Sequence, residues 1–220
     1  MIQFIPTILE STADSFMTKR ALLEPLVKRI SLDFADNTLV PNQTVLPGDI
    51  SPLSLDHEYD AHLMVSEPSQ YFNALKTVGV TRVIVHMESA ENMTSLIEKA
   101  KQSNHGVAIT LNPETPIDEL EPYLGQIEFV QIMAIHPGFG GLPFVSETFD
   151  RIRQLRDMAP KLDIAVDGAV RYDNAESLID AGATMLMVGK GGYVTDDDVE
   201  KGITKWHHLI DTHLKGSHVS

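Results

Sequence analysis

Three side chains able to move protons or bind a metal stand at or near the ends of short apolar runs. They are Asp33 in Ile30-Ser31-Leu32-Asp33-Phe34, His62 in Asp60-Ala61-His62-Leu63-Met64 and Asp167 in Val166-Asp167-Gly168-Ala169. Two carboxylates and one imidazole form a donor set for a divalent cation. Two aspartates on opposite sides of a bound molecule can also pass a proton through it, one as base and one as acid. A lone histidine on a strand is more often structural than catalytic; three convergent groups shift that balance. The segment Ile135-His136-Pro137-Gly138-Phe139-Gly140-Gly141 follows another apolar run. Its glycines let the backbone approach a ligand closely and turn its amide N–H groups inward, as an anion cradle requires. Gly189-Lys190-Gly191-Gly192 offers a second cradle, to which Lys190 adds a cation.

The elements that must position these residues follow a regular beat. Eight apolar runs recur, at Ile2 to Leu9, Arg29 to Ala35, Tyr59 to Met64, Arg82 to Met87, Gly106 to Leu111, Glu128 to Ile135, Leu162 to Val166 and Ala183 to Val188. Helical spacing appears between them at Ser69 to Val78, Glu91 to Ala100, Phe149 to Met158 and Tyr172 to Asp180, the last stopped by Gly182. Thr115-Pro116 reads as an N-cap followed by proline at the first helical position. Asp196-Asp197-Asp198 opens the last helix, Val199 to Leu214, and complements its dipole. Pro47, Gly48 and Pro52 leave Pro41 to Asp56 as a loop-like segment. A strand–helix unit repeated eight times predicts a single α/β domain over residues 1–220, a (β/α)8 TIM barrel, with its active site at the strand ends. Those ends carry Thr7, Asp33, His62, His86, Asn112, His136, Asp167 and Gly189. His86 is open to two readings, a substrate contact or a structural hydrogen bond. His207, His208, His213 and His218 are expected at the surface, with Trp206 anchoring the last helix.

Composition narrows the functions. The net charge of −14 opposes nucleic acid and anionic membranes, so attraction for an anionic ligand must be local. The absence of cysteine excludes disulfides and thiolate metal sites and fits a reducing, cytoplasmic setting. No basic region precedes the first apolar run, so no signal peptide is expected, and no apolar stretch is long enough to cross a bilayer.

Over essentially its whole length the chain resembles the ribulose-phosphate 3-epimerase family. The matching segments are Pro6-Thr7-Ile8-Leu9, Leu39-Val40-Pro41-Asn42, Asp60 to Met64, Leu111-Asn112-Pro113-Glu114-Thr115-Pro116, His136 to Gly141, Val166-Asp167-Gly168 and Val188-Gly189, in order and spacing. The resemblance implies a metal-dependent isomerase that inverts C3 of a phosphorylated ketose, ribulose 5-phosphate or a close relative. Asp33 would take the proton and Asp167 return it on the other face. A divalent ion (Mn, Mg, Fe or Zn) held by Asp33, His62 and Asp167 would stabilise the enediolate. Thr7, His62, Gly138, Gly140, Gly141, Gly168, Gly189 and Lys190 form the expected substrate-binding set, with Met64 and Met133 as adaptable lining. A homo-oligomer is also implied.

The departures matter as much. One metal histidine of the family falls on Ser31, and the methionine two residues beyond the first aspartate on Ala35. Asp-Gly-His-Phe-Val-Pro-Asn becomes Asp36-Asn37-Thr38-Leu39-Val40-Pro41-Asn42. The first-strand serine is Thr7, the asparagine before Pro137 is His136, and the glutamine after the glycines is Leu142. The second glycine after Asp167 is Ala169, and a small residue after Gly189 is Lys190. Three outcomes are open: His136 supplies the missing imidazole, three protein ligands suffice with water and favour Mn²⁺ or Mg²⁺ over Zn²⁺, or the metal is lost. Lys190, by strand order, lies too far round the barrel to substitute. The alternative function is a catalytically impaired paralogue that binds a sugar phosphate or a protein partner. A decarboxylase or aldolase relative would need a lysine between two aspartates on the second strand, where this chain has Asp33.

Overall fold

The apolar runs form eight strands because each is buried on both faces, the signature of a parallel sheet covered by helices. The computed structural model describes residues 2–194 and 198–216. Its strands are β1 (Gln3–Ile8), β2 (Arg29–Ala35), β3 (Glu58–Met64), β4 (Arg82–His86), β5 (Gly106–Leu111), β6 (Phe129–Met133), β7 (Asp163–Asp167) and β8 (Met185–Val188). They pair in chain order, every pair parallel, and β8 closes on β1. This is the expected (β/α)8 barrel.

Helices cover its outside: α1 (Ala13–Leu23), α2 (Phe72–Val78), α3 (Met93–Gln102), α4 (Thr148–Met158), α5 (Tyr172–Ala181), α6 (Lys190–Tyr193) and α7 (Val199–Gly216). The first of these had no flag in the residue pattern. Its fully buried residues are only Phe16 and Leu23, so it lacks a long apolar stripe. It starts instead on a cap, the Thr12 hydroxyl accepting from the Ser15 N–H at 3.3 Å. By contrast α3 buries Met93, Leu96, Ile97 and Ala100 as spaced, and Asn92 caps it. Gly182 ends α5 in the left-handed conformation (φ 117°), where a Cβ would be strained.

Two local expectations need correction or limits. Thr115 does not cap an α-helix: a single 3₁₀ turn, Ile117–Leu120, follows, and the Thr115 hydroxyl bonds Glu88 instead. Asp196 and Asp197 lie outside the described residues, as does His218. Asp198 does cap the last helix, accepting from the Lys201 N–H at 3.0 Å. The segment from Pro41 to Asp56 is loop-like as expected, with one 3₁₀ turn at Pro47–Asp49.

Two apolar layers hold the barrel. Ile5, Ile84, Ala108, Phe129, Ala165, Met185 and Met187 form a buried cluster separate from the much larger one that joins strands to helices. Near the strand starts, Asp60 is fully buried and held bidentately by Arg82, with N–O distances of 2.7 and 2.6 Å. Trp206 does anchor α7: it is fully buried and stacks on Phe4 and Tyr172 at 5.5 and 4.5 Å. His207 and His208 are exposed, whereas the His213 side chain is mostly buried and paired with Asp180 at 3.2 Å. No helix among the described residues is long and apolar enough to cross a membrane.

Candidate active site

Strand register assembles the site. Asp33 on β2 is paired with His62 on β3, and Met133 on β6 with Asp167 on β7. Residues paired across parallel strands share a face, so both aspartates and His62 converge at the carboxyl-terminal mouth. The His62 Nδ1 atom lies 3.2 Å from Asp33 Oδ1 and 3.3 Å from Asp167 Oδ2. One ligand atom from each of the three residues falls within 4.8 Å of the others, a grouping that could hold a divalent cation.

Burial makes these groups unusual. Desolvation pushes the Asp33 carboxyl up to about 6, aided by the charge of Asp167 and opposed by hydrogen bonds from His62 and Thr7. Burial alone would lower His62, but the carboxylates of Asp167 and Asp33 outweigh it and raise the imidazole to about 9. His86, behind it, is lowered, chiefly by burial.

The mouth is a cavity of about 370 Å³. Every residue of the expected catalytic, metal and substrate-binding sets lines it: Thr7, Asp33, His62, Gly138, Gly140, Gly141, Asp167, Gly168, Gly189 and Lys190. Met64 and Met133 line it too. Ring closure brings β8 beside β1, and Lys190, expected to bind substrate though not to replace the missing ligand, shares the cavity with Asp33.

His136 does not fill the place left by Ser31. Its side chain is 67% exposed and its Nδ1 faces Glu114 at 3.1 Å. Its neighbours Ile135 and Pro137 line the cavity while it does not. Ser31 itself is buried on β2.

The residue pattern missed four contributors. Gln131, fully buried on β6, donates from Nε2 to Asp167 Oδ2 at 3.2 Å, and its Oε1 has no partner. The available signal was a single amide inside Phe129–Met133. Lys19 and Arg171 bring further cations to the cavity from α1 and the loop after β7. Arg171 is steadied by the Gly191 carbonyl at 2.7 Å, and Lys19 pairs with Glu10. Asn42 donates to the Gly138 carbonyl, which ties the long loop after β2 to the glycine segment.

A closed barrel with a carboxylate–imidazole–carboxylate cluster under glycine-rich loops defines an α/β-barrel protein whose strand-end mouth gathers groups able to move protons or hold a metal. The family description "Ribulose-phosphate 3 epimerase family" matches residues 7–193, and the chain belongs to that family. The ribulose-phosphate 3-epimerase of Bacillus subtilis (strain 168) is 32% identical over 176 residues, covering 76% of this chain and 81% of that protein. The cytoplasmic isoform from Oryza sativa subsp. japonica is 33% identical, covering 73% of each. Among solved structures, KGPDC from Streptococcus mutans superposes with a TM-score of 0.70 at 10% identity, over 96% of this chain and 98% of that one. A mutant tryptophan synthase alpha-subunit from Pyrococcus furiosus gives 0.66 at 15% identity, over 94% and 97%. These last two are similar in fold alone.

Proposed function

We propose that this protein is an isomerase that inverts C3 of a phosphorylated ketose, interconverting D-ribulose 5-phosphate and D-xylulose 5-phosphate or close relatives. The observation that carries the reading is the pair of aspartates facing one buried imidazole at the barrel mouth. Asp33 removes the C3 proton. A carboxylate raised to about 6 is ionised at neutral pH yet basic enough to accept a proton in the transition state. Asp167, held by Gln131, delivers a proton to the opposite face. Met64 and Met133 supply an adaptable apolar lining to the cavity. The backbone N–H groups of the Gly138 to Gly141 and Gly189 to Gly192 segments, with Lys19, Arg171 and Lys190, receive the phosphate.

The donor set fits a divalent cation, with Asp33, His62 and Asp167 as its protein ligands. One imidazole and two carboxylates favour Mn²⁺ or Mg²⁺ over Zn²⁺. Such an ion would supply positive charge against the developing enediolate. The chain's lack of cysteine supports a cytoplasmic setting, and assembly as a homo-oligomer rests on the family alone.

The test is solvent-deuterium incorporation at C3 of ribulose 5-phosphate. Wild-type protein exchanges, and Asp33→Asn and Asp167→Asn each abolish exchange. Retained exchange in either variant removes that residue from the proton path. Ser31 favours a second reading, a ligand-binding member with impaired catalysis. Wild-type protein that binds the sugar phosphate without exchange would establish it.

A further inference from the structure

Behind His62 runs a chain of hydrogen bonds that the proton path does not use. His62 Nε2 lies 2.9 Å from His86 Nε2, and the two rings meet edge to edge, their centroids 5.1 Å apart with 17° between their planes. On the far side, His86 Nδ1 faces Glu88 Oε2 at 3.2 Å. The other carboxylate oxygen, Oε1, accepts the Asn112 N–H at 2.9 Å and the Thr115 hydroxyl. Glu88 is therefore an acceptor at both oxygens, and its carboxyl is held below the usual range despite burial by its bonds to His86, Thr115 and Asn112.

Direction follows from valence. An acceptor at Glu88 Oε2 requires the His86 proton on Nδ1. A neutral imidazole has one N–H, so His86 presents a lone pair at Nε2. That lone pair can be met by an N–H from His62 Nε2, for which His86 at 2.9 Å is the nearer partner and the Gln131 Nε2 amide, at 3.4 Å, the farther. His62 then has its Nδ1 as the ligand atom, on the side where both aspartates lie. We propose that Glu88 and His86 are positioning residues that hold His62 in its Nε2–H tautomer and so aim the Nδ1 lone pair at the cation site between Asp33 and Asp167. The two residues act through His62 and are absent from the cavity lining. A partner on the non-ligating nitrogen fixes both ring orientation and tautomer of a metal-binding histidine. The inference deepens the proposed function, since it rests on the reading of His62 as a ligand.

Glu88→Gln tests it, because the fixed donors at Oε1 dictate how the new amide lies. The amide oxygen stays with Asn112 and Thr115, and the NH₂ turns to His86 Nδ1. His86 must then carry its proton on Nε2 and donate to His62, which reverses the chain. Long-range ¹H–¹⁵N spectra of histidine-labelled protein at pH 8 with Mg²⁺ present, the diamagnetic cation taking the place of the His62 Nδ1 proton, read the tautomer directly. In wild type, His86 shows a protonated Nδ1 and a bare Nε2; in Glu88→Gln the pattern inverts. Mn²⁺ titrated into the two proteins by calorimetry binds about 10- to 100-fold more weakly to the variant. A wild-type His86 protonated at Nε2 overturns the proposal, even if the variant fails to fold. So does a variant whose His86 pattern stays as in wild type, or one that inverts with unchanged Mn²⁺ affinity. Wild type that gives the expected spectra and Mn²⁺ binding without C3 exchange sinks the epimerase reading and leaves this one standing.

Discussion

His62 illustrates how much a single side chain's surroundings decide. It is 1% exposed, which by itself would keep it neutral, yet two carboxylates raise its imidazole to about 9. The linkage sign is that of a base whose folded value exceeds its unfolded one near 6.5. The stabilisation is complete below pH 6.5 and fades as pH rises through about 9. Unfolding in urea, with chelator present, should therefore give a stability that falls between pH 7 and 10, by a few kcal/mol at most. His62→Gln should remove most of that slope. An identical slope in the variant would place the pH dependence elsewhere. The individual residues of this cluster were legible in the chain because a barrel strand seldom places Asp or His in its apolar run without a use for it. What periodicity could not convey was Gln131 and Glu88. Each looks ordinary until β6–β7 pairing sets Gln131 beside Asp167 and the turn after β4 folds Glu88 back onto His86.

At the scale of elements, the strand ends were readable and the connections less so. Runs such as Arg29 to Ala35 and Gly106 to Leu111 coincide with β2 and β5, because burial on both faces leaves an unbroken apolar record. The turn after Pro116 was misjudged for a physical reason: the Thr115 hydroxyl has a better partner in Glu88 than in a helix N-terminus. Of the outcomes left open for the missing ligand, replacement by His136 is the one the geometry removes, since its neighbours Ile135 and Pro137 take the places in the cavity. The β7 connection shows what such a turn must satisfy. Gly168 has φ of +100°, the next residue Ala169 has +50°, and a Cβ at position 168 would run into the Ile135 side chain. A non-glycine residue in this conformation costs about 1–3 kcal/mol before any clash. Gly168→Ala should lower stability by at least that much. It should also raise KM for the proposed sugar phosphate, because Gly168, Asp167 and the Ile135 side chain that a Cβ would strike all line the cavity. Wild-type stability and KM in this variant would show that the turn adapts freely.

For the molecule as a whole, the barrel must stay shut where its first and last strands meet. The β1–β8 seam is closed by parallel pairing of Gln3 to Pro6 with Met185 to Val188. Over that seam α7 lays Trp206, which stacks between Phe4 of β1 and Tyr172 of α5. The indole N–H donates to the Gly192 carbonyl at 2.8 Å. Gly192 belongs to α6, the short helix that begins at Lys190 and lines the cavity. One residue of the last helix thus braces both the closure of the fold and one wall of the site. The net charge of −14 makes that wall more important, since the bulk field opposes an anionic ligand and only local donors attract it. Trp206→Phe keeps an aromatic ring in place but removes the donor, leaving a buried carbonyl without its indole partner. The expected loss is about 1–3 kcal/mol in stability, measured by urea unfolding. Sugar-phosphate affinity should weaken along with it while the rate of C3 exchange at saturation stays near wild type, because Asp33 and Asp167 are untouched. Exchange at saturation that collapses in Trp206→Phe would mean that the seam positions the aspartates as well as the phosphate wall.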